Sequence, residues 1–244
     1  MHDFSAAPWT HDAPLTAVLA STFRGKLCAN LLRSRAAKRY ERDEAIYEIG
    51  DRERTLFFLK SGFAKIGTIT EDGREIIYDV RKAGDVLGEL CAGNVPRQDR
   101  AVALEPCEIV AVAFDEVLAT VQQDRALLDQ LLQALCASLS DAYDQLNSVA
   151  FGGTVDRVVK LLRKLGSDLG RRSGDRVEIP TYLTQEEIAQ MIAVRRERVS
   201  LAMNVLRDKG LVQYSRRGTL VLDPDALDGF DALAPVPNAV PSPV

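Results

Sequence analysis

An α+β chain in three successive parts is predicted: a β-barrel or β-sandwich, one long helix, and a basic winged helix-turn-helix. Three observations predict it. Short apolar runs separated by turn residues fill residues 42–114. Leucines at alternating spacing of four and three run from Leu128 to Leu146. Two short helical stretches and a basic hairpin occupy Leu183–Leu222. The expected boundaries are 1–40 for an N-terminal arm and helix, 41–123 for the β-domain, 124–152 for a dimerisation helix, 153–224 for the winged helix, and 225–244 for a flexible Pro-rich tail.

Residues 1–15 read as a loose arm, and Ala17 to about Arg39 as a helix with Leu19, Phe23, Leu27 and Leu31 at four-residue spacing. The texture then changes. Gly50-Asp51, Ser61-Gly62, Glu71-Asp72-Gly73, Ala83-Gly84-Asp85 and Gly88 punctuate the strand candidates Glu44–Ile49, Thr55–Lys60, Phe63–Thr70, Glu75–Val80, Arg100–Ala103 and Glu108–Phe114. Many short strands at roughly ten-residue spacing suggest a barrel or sandwich.

A short helix from Asp115 to about Gln122 leads into a long one, Asp124–Phe151. Along it Leu128, Leu132, Leu135, Leu139, Ala142, Leu146 and Val149 keep one seam facing a partner for about 35–40 Å. A lone amphipathic helix lying on its own domain shares part of that pattern; three unbroken heptads favour a parallel dimer. Gly152-Gly153 then interrupts the helix and is a natural hinge.

Val155–Leu169 carries Val158, Leu161, Leu162 and Leu165 on one face and reads as a helix. Gly170–Gly174 reads as a polar loop, and Arg176–Ile179 as a strand ended by Pro180. Thr184 caps the next helix, and Glu187 three positions on completes a capping box. The second helix starts near Arg195. It has Val199, Ala202, Met203 and Leu206 on one side and Arg196, Glu197, Ser200, Leu201 and Asn204 towards the other. An apolar face opposite a base-reading repertoire suggests a helix-turn-helix lying in a major groove. An ordinary helical hairpin with solvated arginines is the competing reading. Leu211–Tyr214 and Thr219–Leu222 flank Ser215-Arg216-Arg217-Gly218, a hairpin with a basic tip.

Composition narrows the function. The 244 residues carry a net charge of −4, yet residues 154–222 hold 14 Lys+Arg against 8 Asp+Glu, a net +6 on an otherwise acidic chain. That asymmetry is the electrostatic footprint of a DNA reader. Cys28, Cys91, Cys107 and Cys136 are scattered with no C-x-x-C pair, and the only histidines, His2 and His11, sit at the N-terminus. No iron-sulfur cluster, haem or metal site is expected, and with no interior histidine, P-loop or nucleophile motif, no enzyme. Absence of a signal peptide or membrane-length apolar run suggests a cytoplasmic protein.

The order of β-domain, long helix and basic winged helix resembles the Crp-Fnr superfamily of bacterial transcription regulators. The residues that carry the resemblance are Gly50-Asp51, Ser61-Gly62, Asp72-Gly73-Arg74-Glu75, Gly84-Asp85-Val86-Leu87-Gly88-Glu89-Leu90, Ala103–Ile109 and Arg196-Glu197-Arg198-Val199-Ser200. The resemblance implies a cyclic-nucleotide-binding-like β-roll (jelly roll), a homodimer, a near-palindromic double-stranded DNA operator and RNA polymerase as partner.

It also implies an effector cassette on Gly88, Glu89, Leu90, Arg97 and Gln98. There Glu89 would accept from a ribose hydroxyl and Arg97 would hold a phosphate or other small anion. Gln98 stands where nucleotide binders carry a small hydroxyl residue, and the cassette is shorter than theirs. The relatives that bind 2-oxoglutarate use a second arginine on the long helix, and no Lys or Arg lies between Ala126 and Asp156. A vestigial pocket in a ligand-independent regulator, and a ligand-binding regulatory protein without DNA activity, are the alternative readings.

On the DNA side, the resemblance implies that Arg196 and Glu197 match the positions that read base edges, that Arg198 occupies a position that usually meets phosphate, and that Ser200 completes the motif. Arg195, Arg216, Arg217, Thr184 and Gln185 would add sequence-independent contacts. Leu201 stands where many members have a second base-reading arginine. Ala193 replaces the usual turn glycine at a cost of ~1 kcal/mol if that position is left-handed. Arg195 replaces a small capping residue.

Overall fold

The computed structural model describes residues 32, 35–92, 95–151, 153–215 and 218–230. The predicted arm, most of the predicted Ala17–Arg39 helix, Gly152, Arg216, Arg217 and the tail beyond 230 lie outside the described residues. The chain divides into two compact units, built mainly from the residues up to Leu146 and from Asn147 onward.

The first unit is a double-sheet roll. Its strands are β1 (Lys38–Tyr40), β2 (Ala45–Tyr47), β3 (Thr55–Ser61), β4 (Phe63–Ile69), β5 (Glu75–Lys82), β6 (Val86–Leu87), β7 (Arg100–Ala103) and β8 (Cys107–Ala113). They form two antiparallel sheets ordered β1-β8-β3-β6 and β2-β7-β4-β5. Six strands were expected; β1 and β6 are additional. Lys38–Arg39, predicted as the end of a helix, pair instead with Glu108 and Ile109. Strands of two or three residues leave too little alternation to announce themselves.

The apolar pattern explains how the roll is covered. In β3, Phe57 and Leu59 point between the sheets, where they join Tyr40, Ile46, Tyr47, Ala64, Ile66, Leu87, Ala101, Ala103, Cys107 and Ile109. Leu56 and Phe58 point the other way and join Val86, Cys91, Val110, Val112, Val117 and Val121. A strand apolar on both sides needs cover on both sides. The outer cover comes from α1 (Phe114–Gln122) and the first turns of α2 (Arg125–Phe151), through Val117, Val121, Leu127 and Leu131. Leu128, Leu132, Leu135, Leu139 and Leu146 are exposed on the same helix. So α2 carries two apolar faces, and the roll uses only one of them.

Asp85 lies in the turn before β6. It is buried; one oxygen accepts from the Lys82 N–H at 2.9 Å, and the other has no hydrogen-bond partner among the described residues. Burial pushes its carboxyl up to about 6. The folded-state value lies above the usual one, so the native roll holds more protons than the unfolded chain between the two. This group therefore adds stability as pH falls through that window and takes it away as pH rises. Asp85→Asn should melt above the wild type at about pH 7.5, and the gap should close towards about pH 4. A gap independent of pH in a thermal-shift series would refute the burial argument.

The second unit is a winged helix. It comprises α3 (Thr154–Leu169), β9 (Arg171–Ser173), β10 (Arg176–Glu178), α4 (Gln185–Met191), α5 (Arg196–Asp208), β11 (Val212–Tyr214), β12 (Leu220–Leu222) and α6 (Pro224–Asp228). The strands form one antiparallel sheet ordered β11-β12-β10-β9. Two expectations are corrected here. Gly170–Gly174 is no simple loop: Arg171–Ser173 pairs with Arg176–Glu178 around a turn in which Gly174 has φ +67°. All three residues of β9 are exposed, so no hydrophobic alternation marks it. Nor does the folded unit stop at 224, since Asp223 caps α6 by accepting from the Ala226 N–H at 2.9 Å and Leu227 is buried.

Candidate nucleic-acid interface and effector pocket

The helix-turn-helix is α4, a four-residue turn, and α5. At the start of α4, the Thr184 N–H donates to Glu187 Oε2 at 2.7 Å, and the Glu187 N–H donates to Thr184 Oγ1 at 3.1 Å. The hydroxyl in turn donates to the same carboxylate at 2.8 Å. The expected capping box is therefore formed, and Glu187 is buried within it. Thr184 spends its hydroxyl on that box; what it can offer a phosphate is the helix end and not the side chain.

Ala193 has φ +52°, in the left-handed region where a Cβ crowds the backbone, and the following Val194 N–H closes on Ala189 O at 3.1 Å. Ala193 is exposed, so glycine removes strain without opening a hole. We expect Ala193→Gly to stabilise the winged helix by about 1 kcal/mol and raise its melting temperature by a few degrees, leaving DNA affinity unchanged. A lower melting temperature would show that the turn is unstrained.

The next residue but one, Arg195, is the N-cap of α5 and makes no side-chain capping bond. Val199, Ala202, Met203 and Leu206 anchor α5, each 2% exposed or less. That burial rolls the opposite face outward: Arg196, Glu197, Arg198, Leu201 and Asn204 are exposed, and Ser200 is half-buried. One helix face thus offers a guanidinium fork, a carboxylate, a hydroxyl and a carboxamide, which between them can address guanine, cytosine and adenine edges.

Two open clefts flank that face. One, of about 650 Å³, is lined by Gly153, Thr154, Arg157, Val194, Arg195 and Arg198. Three guanidinium groups there stand beside the N-terminus of the sixteen-residue helix α3, whose first N–H groups favour an anion. Arg157 also donates to Ile192 O at 3.4 Å, which steadies it. Sequence reasoning missed Thr154 and Arg157; the signal was a glycine followed at once by an amphipathic helix. The other cleft, of about 700 Å³, is lined by Tyr182, Thr184, Gln185, Glu186, Arg196, Tyr214 and Gly218 among others. The wing strands are tied together by Ser215 Oγ and Thr219 Oγ1 at 2.6 Å, and Thr219 Oγ1 donates to Glu178 Oε1 at 2.6 Å.

In the roll, the five expected effector residues differ in exposure. Leu90 is exposed, and so is Gln98, whose carbonyl accepts from Thr68 Oγ1 at 3.1 Å. Arg97 is only 4% exposed. It donates to Gly88 O at 3.1 Å, Thr55 O at 2.5 Å and Glu53 O at 3.4 Å. Its guanidinium lies over the Tyr47 ring at 4.2 Å and the Phe57 ring at 5.7 Å. Gly88 has φ +84°, and a Cβ there would stand 2.9 Å from Arg97 Nη1, so glycine is what lets the guanidinium close in.

Glu89 is also engaged. Arg81 donates to its Oε1 at 2.8 Å and faces Asp79 at 3.3 Å. Burial opposes the Arg81 charge, but Asp79, Glu89 and Asp85 outweigh it and hold the guanidinium above its usual pKa. Tyr47 donates to Asp99 Oδ2 at 2.7 Å. Burial, reinforced by Asp99, pushes the phenol well up, so it remains a donor. The other Asp99 oxygen is buried with no hydrogen-bond partner among the described residues. Tyr47, Arg81 and Asp99 were not foreseen as part of this cluster.

Among the described residues no group of His, Cys, Asp and Glu could hold a metal ion, and no helix is long and apolar enough to cross a membrane. The cyclic nucleotide-binding domain family matches residues 37–124, and the Crp-like helix-turn-helix domain family matches residues 156–230. A CRP-like cAMP-activated global transcriptional regulator from Mycobacterium tuberculosis is 27% identical over 189 residues, 77% of this chain and 84% of that protein. A global nitrogen regulator from Synechocystis is 27% identical over 221 residues, 89% of this chain and 96% of that one. The structure of FixK2 from Bradyrhizobium japonicum superimposes with a TM-score of 0.70 over 82% of this chain and 99% of that one, at 20% identity, which speaks for the fold alone.

Proposed function

This chain belongs to the Crp-Fnr superfamily and is a DNA-binding transcription regulator, and from that premise we propose that it is a cytoplasmic homodimer that reads a near-palindromic operator and answers to a small anionic effector in its roll. The observation that carries the DNA reading is the outward face of α5, where Arg196, Glu197 and Ser200 stand opposite a fully buried apolar face. The exposed leucine row of α2 supports the homodimer, since Leu128, Leu132, Leu135, Leu139 and Leu146 have no other cover among the described residues. Two α5 helices would lie one turn of DNA apart, about 34–36 Å. Arg195, Arg198, Arg157, Arg216 and Arg217, with the helix ends at Thr154, Thr184 and Gln185, would hold phosphates, and RNA polymerase is the downstream partner.

An effector would act on the Glu89–Arg81 and Arg97 clusters, and the long helix would carry the change to the winged helices through Gly152-Gly153. A second reading has its own observation. Arg97 is buried and held by three carbonyls and two rings, which favours a regulator whose roll stays closed and which binds DNA without ligand.

Selection of duplexes from a random pool tests the main reading. The expected product is a two-half-site sequence whose affinity falls linearly with the logarithm of salt concentration, with a slope of about −0.9 per phosphate contacted. Enrichment of no sequence would overturn it. A thermal-shift panel of cyclic nucleotides and 2-oxoglutarate separates the two roll readings. A shift with an anion supports sensing; operator binding at full strength with no shift supports the closed roll.

A further inference from the structure

Leu201 is 68% exposed, although the apolar face that docks α5 is already complete without it. Val205, one turn on, is 41% exposed. Glu197, Leu201 and Val205 are spaced by four and lie in one row along the helix, with Ser200 and Asn204 beside them. The apolar row therefore begins on the base-reading face itself and does not belong to the core.

The surroundings decide what could cover it. Arg195, Arg196 and Arg198 are exposed at the head of the row, so the partner must be apolar at one point and strongly anionic around it. In a major groove, the apolar group between phosphate-lined walls is the thymine 5-methyl. Four residues of helix advance about 6 Å, and base pairs stack about 3.4 Å apart. With α5 laid along the groove, Leu201 would fall up to about two base pairs from the pair that Glu197 meets.

We propose that Leu201, backed by Val205, reads a thymine 5-methyl group in each half-site, so that the operator carries a T·A pair where an arginine would call for guanine. The proposal rests on the DNA-binding reading and adds a second specificity-determining contact to it. Deoxyuridine isolates the claim, because replacing thymine removes only the methyl and leaves every hydrogen-bonding group in the groove.

The test titrates the full-length protein against its selected duplex by fluorescence anisotropy at fixed salt, with each thymine replaced in turn. At one position per half-site, the substitution should weaken wild-type binding by about fourfold, the effect of one buried methyl. Leu201→Ala, at an exposed position, should fold normally, bind more weakly and show no preference for thymine over deoxyuridine there. A selected half-site without thymine, an equal loss in wild type and L201A, or an L201A effect confined to oligomeric state would each overturn the proposal. Should the duplex remain dependent on Arg196 while indifferent to the methyl, only this contact falls. If no duplex is selected at all, the DNA reading falls with it.

Discussion

Replacing Arg196 with alanine is expected to weaken binding to the preferred operator by about 1–3 kcal/mol in each half-site, or about 2–6 kcal/mol for a symmetric dimer. The physical ground is specific. Arg196 is exposed at the first turn of α5, in the cleft that also holds Thr184, Gln185 and Tyr214. A guanidinium fork at that point can donate two parallel bonds to one guanine, and nothing in alanine replaces either. Because the residue is outside the core, the melting temperature should barely change. Binding to unselected DNA should fall far less, since the phosphate contacts remain. Equal losses on selected and unselected duplexes would reassign Arg196 from base reading to backbone holding. An unchanged footprint would remove it from the interface.

The double substitution Leu135→Glu with Leu139→Glu should abolish the dimer. Both leucines are about half exposed in the single chain and lie outside the packing that holds α2 to its roll, which Leu127 and Leu131 supply. Four carboxylates at the middle of a helix pair would have to be buried together, which no partner charge relieves. Each winged helix would then meet its half-site alone. The loss of avidity should lower operator affinity by about 10²–10⁴-fold at unchanged half-site preference. Analytical ultracentrifugation reads the mass, and titration of a single half-site provides the control. A variant that sediments as a dimer would refute the leucine seam; a monomer that keeps full affinity would sever dimerisation from recognition.

The parts that were legible in the sequence share one physical property: a long pattern on one face. The leucines of α2, the buried set Val199, Ala202, Met203 and Leu206, and the Thr184–Glu187 capping box each repeat a local rule over several turns or close a short-range bond. Ala193 was legible for a different reason: the family resemblance puts a glycine at that turn, and the φ of +52° is the conformation a glycine there would take without strain. β1, β6 and β9 were not legible; they are two or three residues long, the pairing of β1 and β6 is decided by the distant partners β8 and β3, and β9, paired with the neighbouring β10, has no apolar alternation to mark it. Arg97, Glu89, Arg81, Tyr47 and Asp99 come from separate strands and loops. The family resemblance gave Arg97 and Glu89 their expected roles, while the partners they have here, Thr55 O and Arg81, depend on how β3 and β5 pass them. Thr154 and Arg157 were missed because the cleft they line with Arg195 and Arg198 exists only once the unit is folded.

The lodging of Arg97 has a consequence for any signal the roll receives. To recruit that guanidinium, an incoming molecule must match what already holds it, three carbonyl bonds and two aromatic faces. Together these are worth on the order of 5 kcal/mol. A ligand shifts an equilibrium only by the difference in its affinity for the two states. The closed arrangement therefore acts as a threshold filter: a simple anion can replace the carbonyl bonds but not the aromatic faces, and a molecule shaped for several contacts at once is needed to trip it. The same lock that makes the site look occupied by its own side chain would make a response, when it comes, selective against background.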